Sequence, residues 1–284
     1  MRLTKHHGLG NDFLVLLDAD GSKPLPADQV RTLCDRHRGV GADGLIRATR
    51  PTAGDAALGL VARMQLVNAD GSPAEMSGNG IRCLAQALVM AGWATGPEVA
   101  IATDAGVRTV TIHEQVDATT QISSVDMGPA EILGDAPEWS GGPFRRALLV
   151  DVGNPHLVLD LAPDHAAAAD HDTGVVRLVE LGERVNGKLS EGANVHLLTD
   201  GGRGSIVIRT YERGVGPTLA CGTGACAAAA AARRWGVADD PVVVRMAGGE
   251  AQVTLGEAGV AVELRGPATA VAAIDVPVPT PVGA

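Results

Sequence analysis

Aromatic side chains are almost missing from this sequence of 284 residues: Trp, Tyr and Phe together make up 2% of it. Hydrophobic residues still reach 45%, so the core must be built by packing small and branched side chains rather than rings. Cysteine is scarce and ungrouped. Cys34, Cys83, Cys221 and Cys226 form no Cys-x-x-Cys pair, and no His cluster has ligand spacing, which argues against a zinc or other metal site. Basic runs are absent too: 23 Lys and Arg are scattered among 33 Asp and Glu, and a net charge of −10 repels nucleic acid and anionic membrane. No apolar span of bilayer length occurs, and the opening MRLTKHHGLGNDFLVLLD lacks the apolar stretch and cleavage site of a signal peptide. The chain is therefore expected to be cytoplasmic, with free thiols rather than a disulfide framework.

What the sequence does contain is a repeat. The length exceeds a typical domain of roughly 100–200 residues, and sliding the chain on itself by 144 lays Pro73 on Pro217, Gly78 on Gly222, Gly80 on Gly224 and Ser77 on Cys221. A shift of 143 lays GNDFLVL (10–16) on GNPHLVL (153–159), and GADG (41–44) loosely resembles GANV (192–195). Matched segments in the same order point to duplication of one lobe. LVLLDA, ARMQLVNA, VRTVTIH, LVLDL, SIVIRTYE and PVVVRM read as strands; IRCLAQALVMAG and TGACAAAAAARRWG read as helices closed by Gly92 and Gly236. The expectation is an α/β (α+β) fold of two pseudo-symmetric lobes, 1–125 and 126–265. A C-terminal segment, 266–284, is free to return to the first lobe and ends in a loose Pro-rich tail, VPVPTPVGA (276–284).

Each predicted helix opens at a Gly-rich motif, so Gly78 to Gly80 and Gly222 to Gly224 would present unpaired N–H groups at a positive dipole end, where an anion belongs. Thr223 is equally suited to capping its helix without any ligand. Cys221, just before the second helix, stands where thiol pKa values fall and a thiolate forms; Cys34, Cys83 and Cys226 read as core. Two related lobes, each offering a side chain at a helix start across a cleft, suit stereoinversion: one group removes a proton from a carbon and the other returns one to the opposite face. A pyridoxal cofactor would need a Schiff-base lysine, and Lys5, Lys23 and Lys188 lie in no plausible site, so a cofactor-independent reaction is expected. GVGADG (39–44) spells the dinucleotide glycine pattern but follows the charged CDRHR rather than a hydrophobic strand, and so lacks its context.

HGLGNDF (7–13), NADGSPAEMSGNGIRC (68–83), GNPH (153–156), EGANV (191–195) and YERGVGPTLACGTGACA (211–227) closely resemble the motifs of the diaminopimelate epimerases, in order and through nearly the whole chain. The resemblance implies two lobes, each a sheet wrapped around a central helix, in a homodimer. It also implies inversion of LL- to meso-diaminopimelate, a small-molecule substrate, without pyridoxal phosphate, for lysine and peptidoglycan synthesis. By similarity Asn11, Asn68, Asn154, Asn194, Glu212 and Arg213 would hold the substrate, and the amides of Gly78, Asn79, Gly222 and Thr223 its reacting carboxylate. For each of these a turn or cap role remains open, since Asn and Gly favour such positions on backbone grounds alone. His156 is as readily structural as catalytic, and Pro217 stands where the family usually carries Glu.

The family motif places two catalytic cysteines at 77 and 221, and position 77 is Ser77. A serine hydroxyl is a poor base and a poor acid near neutral pH unless a neighbour activates it. The alternatives are an epimerase that manages with Ser77, a serine introduced for the cysteine, a one-base isomerase or lyase acting on another amino acid, and a non-catalytic amino-acid-binding protein.

Overall fold

The computed structural model describes residues 1–166, 172–256 and 261–277. Two compact units divide the chain: Met1–Val125 with the chain from Pro267, and Asp126–Gly266. The first contains β1 (Arg2–Gly8), β2 (Asn11–Leu17), α1 (Ala27–Cys34), β3 (Gly44–Thr49), α2 (Ala53–Ala57), β4 (Ala62–Asn68), β5 (Pro73–Ala74), α3 (Gly78–Met90), β6 (Glu98–Thr103), β7 (Gly106–Gln115) and β8 (Thr120–Asp126). The second contains β9 (Glu131–Asp135), β10 (Phe144–Asp151), β11 (Pro155–Leu161), α4 (Pro163–Ala166), α5 (Asp172–Lys188), β12 (Asn194–Gly202), β13 (Ser205–Glu212), β14 (Gly216–Thr218), α6 (Gly222–Arg234), β15 (Val242–Met246) and β16 (Gly249–Thr254). β17 (Glu263–Asp275) pairs with β16 at its start and with β1 from Thr269 to Asp275.

The units repeat one topology. In the first, β1–β2 is antiparallel, β2–β3 parallel, β3–β4 and β4–β5 antiparallel, β4–β6 parallel and β6–β7 antiparallel. In the second, β10–β11, β11–β12, β12–β13, β13–β14, β13–β15 and β15–β16 follow the same sequence of directions. The register makes the equivalence residue by residue. Phe13 pairs with Gly44 and Gly44 with Asn68; His156 pairs with Asn194, and Val195, next in line, with Tyr211, which sets Asn194 opposite Glu212. Gly44 therefore corresponds to Asn194, so the loose match of GADG with GANV, which laid Asp43 on Asn194, is out by one residue.

The strands bury both faces because a helix covers each. In β2, Leu14 and Leu16 join Val30 and Leu33 of α1 in one cluster, while alternate residues point the other way; α3 packs against β1, β2, β3 and β7. NDFLVLL is accordingly a near-continuous apolar run rather than an alternating one. The second unit builds the same layers from Leu178, Leu181 and Val185 of α5 against Leu157, Leu159, Val195 and Leu197, with α6 enclosed by β10–β13, β15 and β16. Both enclosed helices end alike. Gly92 (φ 69°) and Gly236 (φ 68°) take the left-handed region, and N–H groups of Trp93 and Val237 reach back to the carbonyls of Leu88 and Ala232.

The reading of GVGADG as lacking a dinucleotide context stands, and two expectations are revised. GVGADG follows helix α1 and leads into strand β3, the reverse of the strand-to-helix order of a dinucleotide site. Val276, read as the start of a loose tail, exchanges backbone hydrogen bonds with Met1, while 278–284 of that segment lie outside the described residues. The helix α5 had no counterpart in the sequence reading. Among the described residues, no helix is long and apolar enough to cross a membrane.

Ala225 and Ala227–Ala229 are wholly buried on α6, whereas α3 buries Ile81, Leu84 and Leu88. The strands around α6 thus close to within a methyl group of its axis. Ala229→Leu should destabilise the protein by about 1–3 kcal/mol through overpacking, read as a lower urea midpoint. An unchanged midpoint would mean that the strands leave room for a longer side chain.

Candidate active site

The two enclosed helices begin in the same way. Ser77 is the N-cap of α3, its Oγ accepting from the Gly80 N–H at 3.1 Å. Cys221 is the N-cap of α6, its Sγ accepting from the Gly224 N–H at 3.4 Å. Both residues have extended backbone and satisfy one of the orphan donors of a first turn. Thr223 is inside the helix rather than its cap, and its hydroxyl lies 3.5 Å from Sγ.

Cys221 is buried, and burial pushes its thiol well above the ordinary range, with the Glu212 carboxylate pushing the same way. The Thr223 hydroxyl and the Gly224 N–H pull it down and do not prevail. The thiolate expected from the helix start is therefore not the resting form: the protein holds Cys221 as a thiol beside a carboxylate. Cys34 and Cys83 are likewise pushed up to about 12 by burial, and all four cysteines are buried and free of disulfides.

In the first unit the structure gathers Asn11, Gly78 and Asn79. The Asn79 amide donates to Asn11 Oδ1 at 3.2 Å, and Asn11 donates to Asp43 at 2.8 Å. Arg36 bridges Asp43 and Asp12 at 2.7 Å each, and Lys5 reaches Asp12 at 2.8 Å. Burial raises the Asp12 carboxyl, but the hydrogen bonds and charges of Arg36 and Lys5 outweigh it and hold its pKa low. Arg82, wholly buried in α3, donates to Asn79 Oδ1 and to the Gly78 carbonyl. Asn68 takes no part in this group, since its amide donates to Ser72 across the turn from β4 to β5.

In the second unit His156, Asn194 and Glu212 lie in one row across β11, β12 and β13. Asn154 Oδ1 is 2.8 Å from His156 Nε2, His156 Nδ1 is 2.8 Å from His196 Nε2, and His196 Nδ1 is 3.0 Å from Thr210 Oγ1. Asn194 Oδ1 accepts the Arg213 backbone N–H at 2.9 Å, and Thr218 donates to Glu212 at 2.6 Å. The Arg213 guanidinium turns instead to the Glu191 carbonyl. Pro217 is exposed and pairs with Tyr211 in the β13–β14 hairpin. Two rows further along, the units separate: Ile46 and Leu66 pair in the first, His196 and Thr210 in the second.

The sequence model of the diaminopimelate epimerase family matches residues 3–133 and 148–271. Proteins named diaminopimelate epimerase are 40% identical in Mycobacterium ulcerans, over 96% of this chain and 95% of theirs, and 40% in Thermobifida fusca, over 97% and 98%. The chain belongs to the diaminopimelate epimerase family. Among solved structures, a probable proline racemase from Agrobacterium radiobacter superposes with a TM-score of 0.69 at 18% identity, covering 98% of this chain and 93% of that one. A Bacillus anthracis phenazine biosynthesis protein of the PhzF family does so with 0.72 at 14%, covering 98% and 99%; both share the fold.

Sequence reasoning about this family member missed Arg82, Thr218 and His196. Arg82 stood in plain view inside SGNGIRC, where a charge within a buried helix turn calls for a local role. Nothing in NVHLL marks His196 as different from a strand filler.

Gly224 and Gly80 are equivalent but not equally replaceable. A Cβ at 224 would overlap the His196 ring, which is held on both sides by hydrogen bonds, whereas at 80 it would meet the movable end of Ile46 at 3.2 Å and Ser77 Cβ at 3.1 Å. Gly224→Ala should cost about 1–3 kcal/mol of stability, while Gly80→Ala stays near neutral because the gain in helix propensity, about 0.5–1 kcal/mol, offsets mild crowding. Equal urea midpoints for the two variants would refute this asymmetry. Removal of the Glu212 charge lowers the Cys221 pKa, so Glu212→Gln should quicken iodoacetamide labelling of Cys221 at pH 8, followed by peptide mass spectrometry. A rate equal to or below that of the parent would show that the carboxylate does not hold the thiol protonated.

Proposed function

We propose that this chain interconverts LL- and meso-2,6-diaminopimelate by proton exchange at one α-carbon, with Cys221 serving one face and Ser77 the other. The observation that carries the reading is the equivalence of the two N-caps in a duplicated topology, within a family of epimerases. The N–H groups of Gly78, Asn79, Gly222 and Thr223 at the two helix starts suit a carboxylate and the enolate charge that grows on it. Asn11, Asn68, Asn154, Asn194 and the Arg213 side of the β13–β14 hairpin supply donors and acceptors for the distal amino-acid end.

The resting thiol assigns the order of proton movements at Cys221. For the face it serves as base, the thiol proton passes to the Glu212 carboxylate as the thiolate takes the α-proton; in the reverse direction the thiol gives its proton to the carbanion and regains one from Glu212. Among the described residues, Ser77 Oγ meets only the Gly80 N–H, a donor, which cannot accept the hydroxyl proton. Its hydroxyl is competent to return a proton to a strongly basic carbanion and ill suited to removing one. The two isomers therefore differ: the one whose α-proton faces Cys221 exchanges readily, and the other slowly.

Proton NMR in D₂O on each isomer tests this reading. Faster α-deuteration from one isomer, with inversion at least roughly 10²-fold faster in Ser77→Cys, is the expected result. Inertness of both isomers in that variant would sink the substrate assignment, and an unchanged rate would remove position 77 from the chemistry.

A further inference from the structure

We propose that His196 is a positioning residue for Asn154: a one-way chain of hydrogen bonds from Thr210 through His196 and His156 turns the Asn154 amide so that its NH₂ group faces outward as a donor. The use of that donor for a diaminopimelate carboxylate rests on the function proposed above; the direction of the chain does not.

The direction follows from the donors. His156 and His196 are fully buried, and Thr210 nearly so. Burial presses both imidazoles down, His196 to about 3, so each is neutral at ordinary pH and carries a single N–H. Three contacts then leave two arrangements. In one, Thr210 donates to His196 Nδ1, His196 Nε2–H to His156 Nδ1, and His156 Nε2–H to Asn154 Oδ1, and every buried donor is used. In the reverse arrangement the Thr210 hydroxyl accepts from His196, and its own hydrogen, with no other acceptor among the described residues, is stranded in the core. A buried unused donor costs about 1–3 kcal/mol, so the first arrangement prevails. It consumes Oδ1 of Asn154 and leaves both amide hydrogens to a ligand.

The duplicate unit makes the point by contrast. Its equivalents of His156, His196 and Thr210 are Phe13, Ile46 and Leu66, all apolar, and its Asn11 is oriented instead by Asp43 and Asn79. A packing role alone at position 196 would be met by an aliphatic residue, as it is at Ile46.

Two readouts decide. Nitrogen NMR of the intact protein should find both His156 and His196 as Nε2–H tautomers; an Nδ1–H tautomer at either overturns the proposal. Titration calorimetry with LL-diaminopimelate should give His196→Gln, whose amide can accept from Thr210 and donate to His156, a Kd within a few-fold of the parent, and His196→Leu a Kd roughly tenfold weaker. A Leu variant that binds as well as the Gln variant, with both folded by circular dichroism, reduces His196 to packing and overturns it. If the parent protein binds no diaminopimelate while both tautomers are Nε2–H, the substrate reading fails and the directed chain stands.

Discussion

A helix enclosed by strands leaves its unpaired N–H groups in one place, its first turn, and the whole architecture serves that constraint. In each unit the strands close around α3 or α6 so tightly that the helix side is buried along most of its length. The strand ends and turns that surround the first turn then become the only source of groups able to face a ligand there. Asn11, Asn68, Asn194 and Glu212 sit at the beginnings or ends of strands, Asn154 in the turn that leads into β11, and Ser77 and Cys221 at the caps. The chemistry is fixed by where the fold cannot satisfy itself.

Duplication gave two such places, and the units have since filled them by different physics. The first surrounds its asparagines with charge: Arg36, Asp12, Asp43 and Lys5 form an ion network, partly in water, that terminates on Asn11. The second uses a neutral, buried chain that terminates on Asn154. At the equivalent strand ends, Asn68 meets Ser72 whereas Glu212 takes Thr218 and stands beside Cys221. A carboxylate next to a buried thiol offers a place for its proton, and among the described residues Ser77 has no carboxylate hydrogen-bonded to it.

Much of this was legible in the sequence. The repeat, the six strands, both enclosed helices and their closing glycines follow from period, glycine placement and self-similarity, because those signals are local and strong. The family motifs marked the asparagines and both caps. What stayed hidden depended on packing across strands. The protonated state of Cys221 follows from burial and Glu212, neither of which the helix start reveals; α5 keeps its apolar stripe but carries Gly182 and Gly187, which lower its helix propensity; and His196 acquires meaning only when the fold sets it beside His156 and under Gly224.

The contrast between Gly80 and Gly224 carries the synthesis one step further. Both glycines exist because a strand side chain presses on the helix start, yet one presses with Ile46 and the other with His196. An aliphatic side chain holds a helix only by volume, and its end can move. An imidazole held at both nitrogens holds it by volume and by direction at once, so displacement of the ring breaks hydrogen bonds as well as contacts. The same ring therefore ties the N–H group that binds Cys221 Sγ to the amide of Asn154, through bonds that salt screens weakly because they lie out of water. The proton transfer proposed above asks for an acid–base group and a binding group held in fixed positions, and the second unit sets the surroundings of both Cys221 and Asn154 against one ring where the first has the aliphatic Ile46.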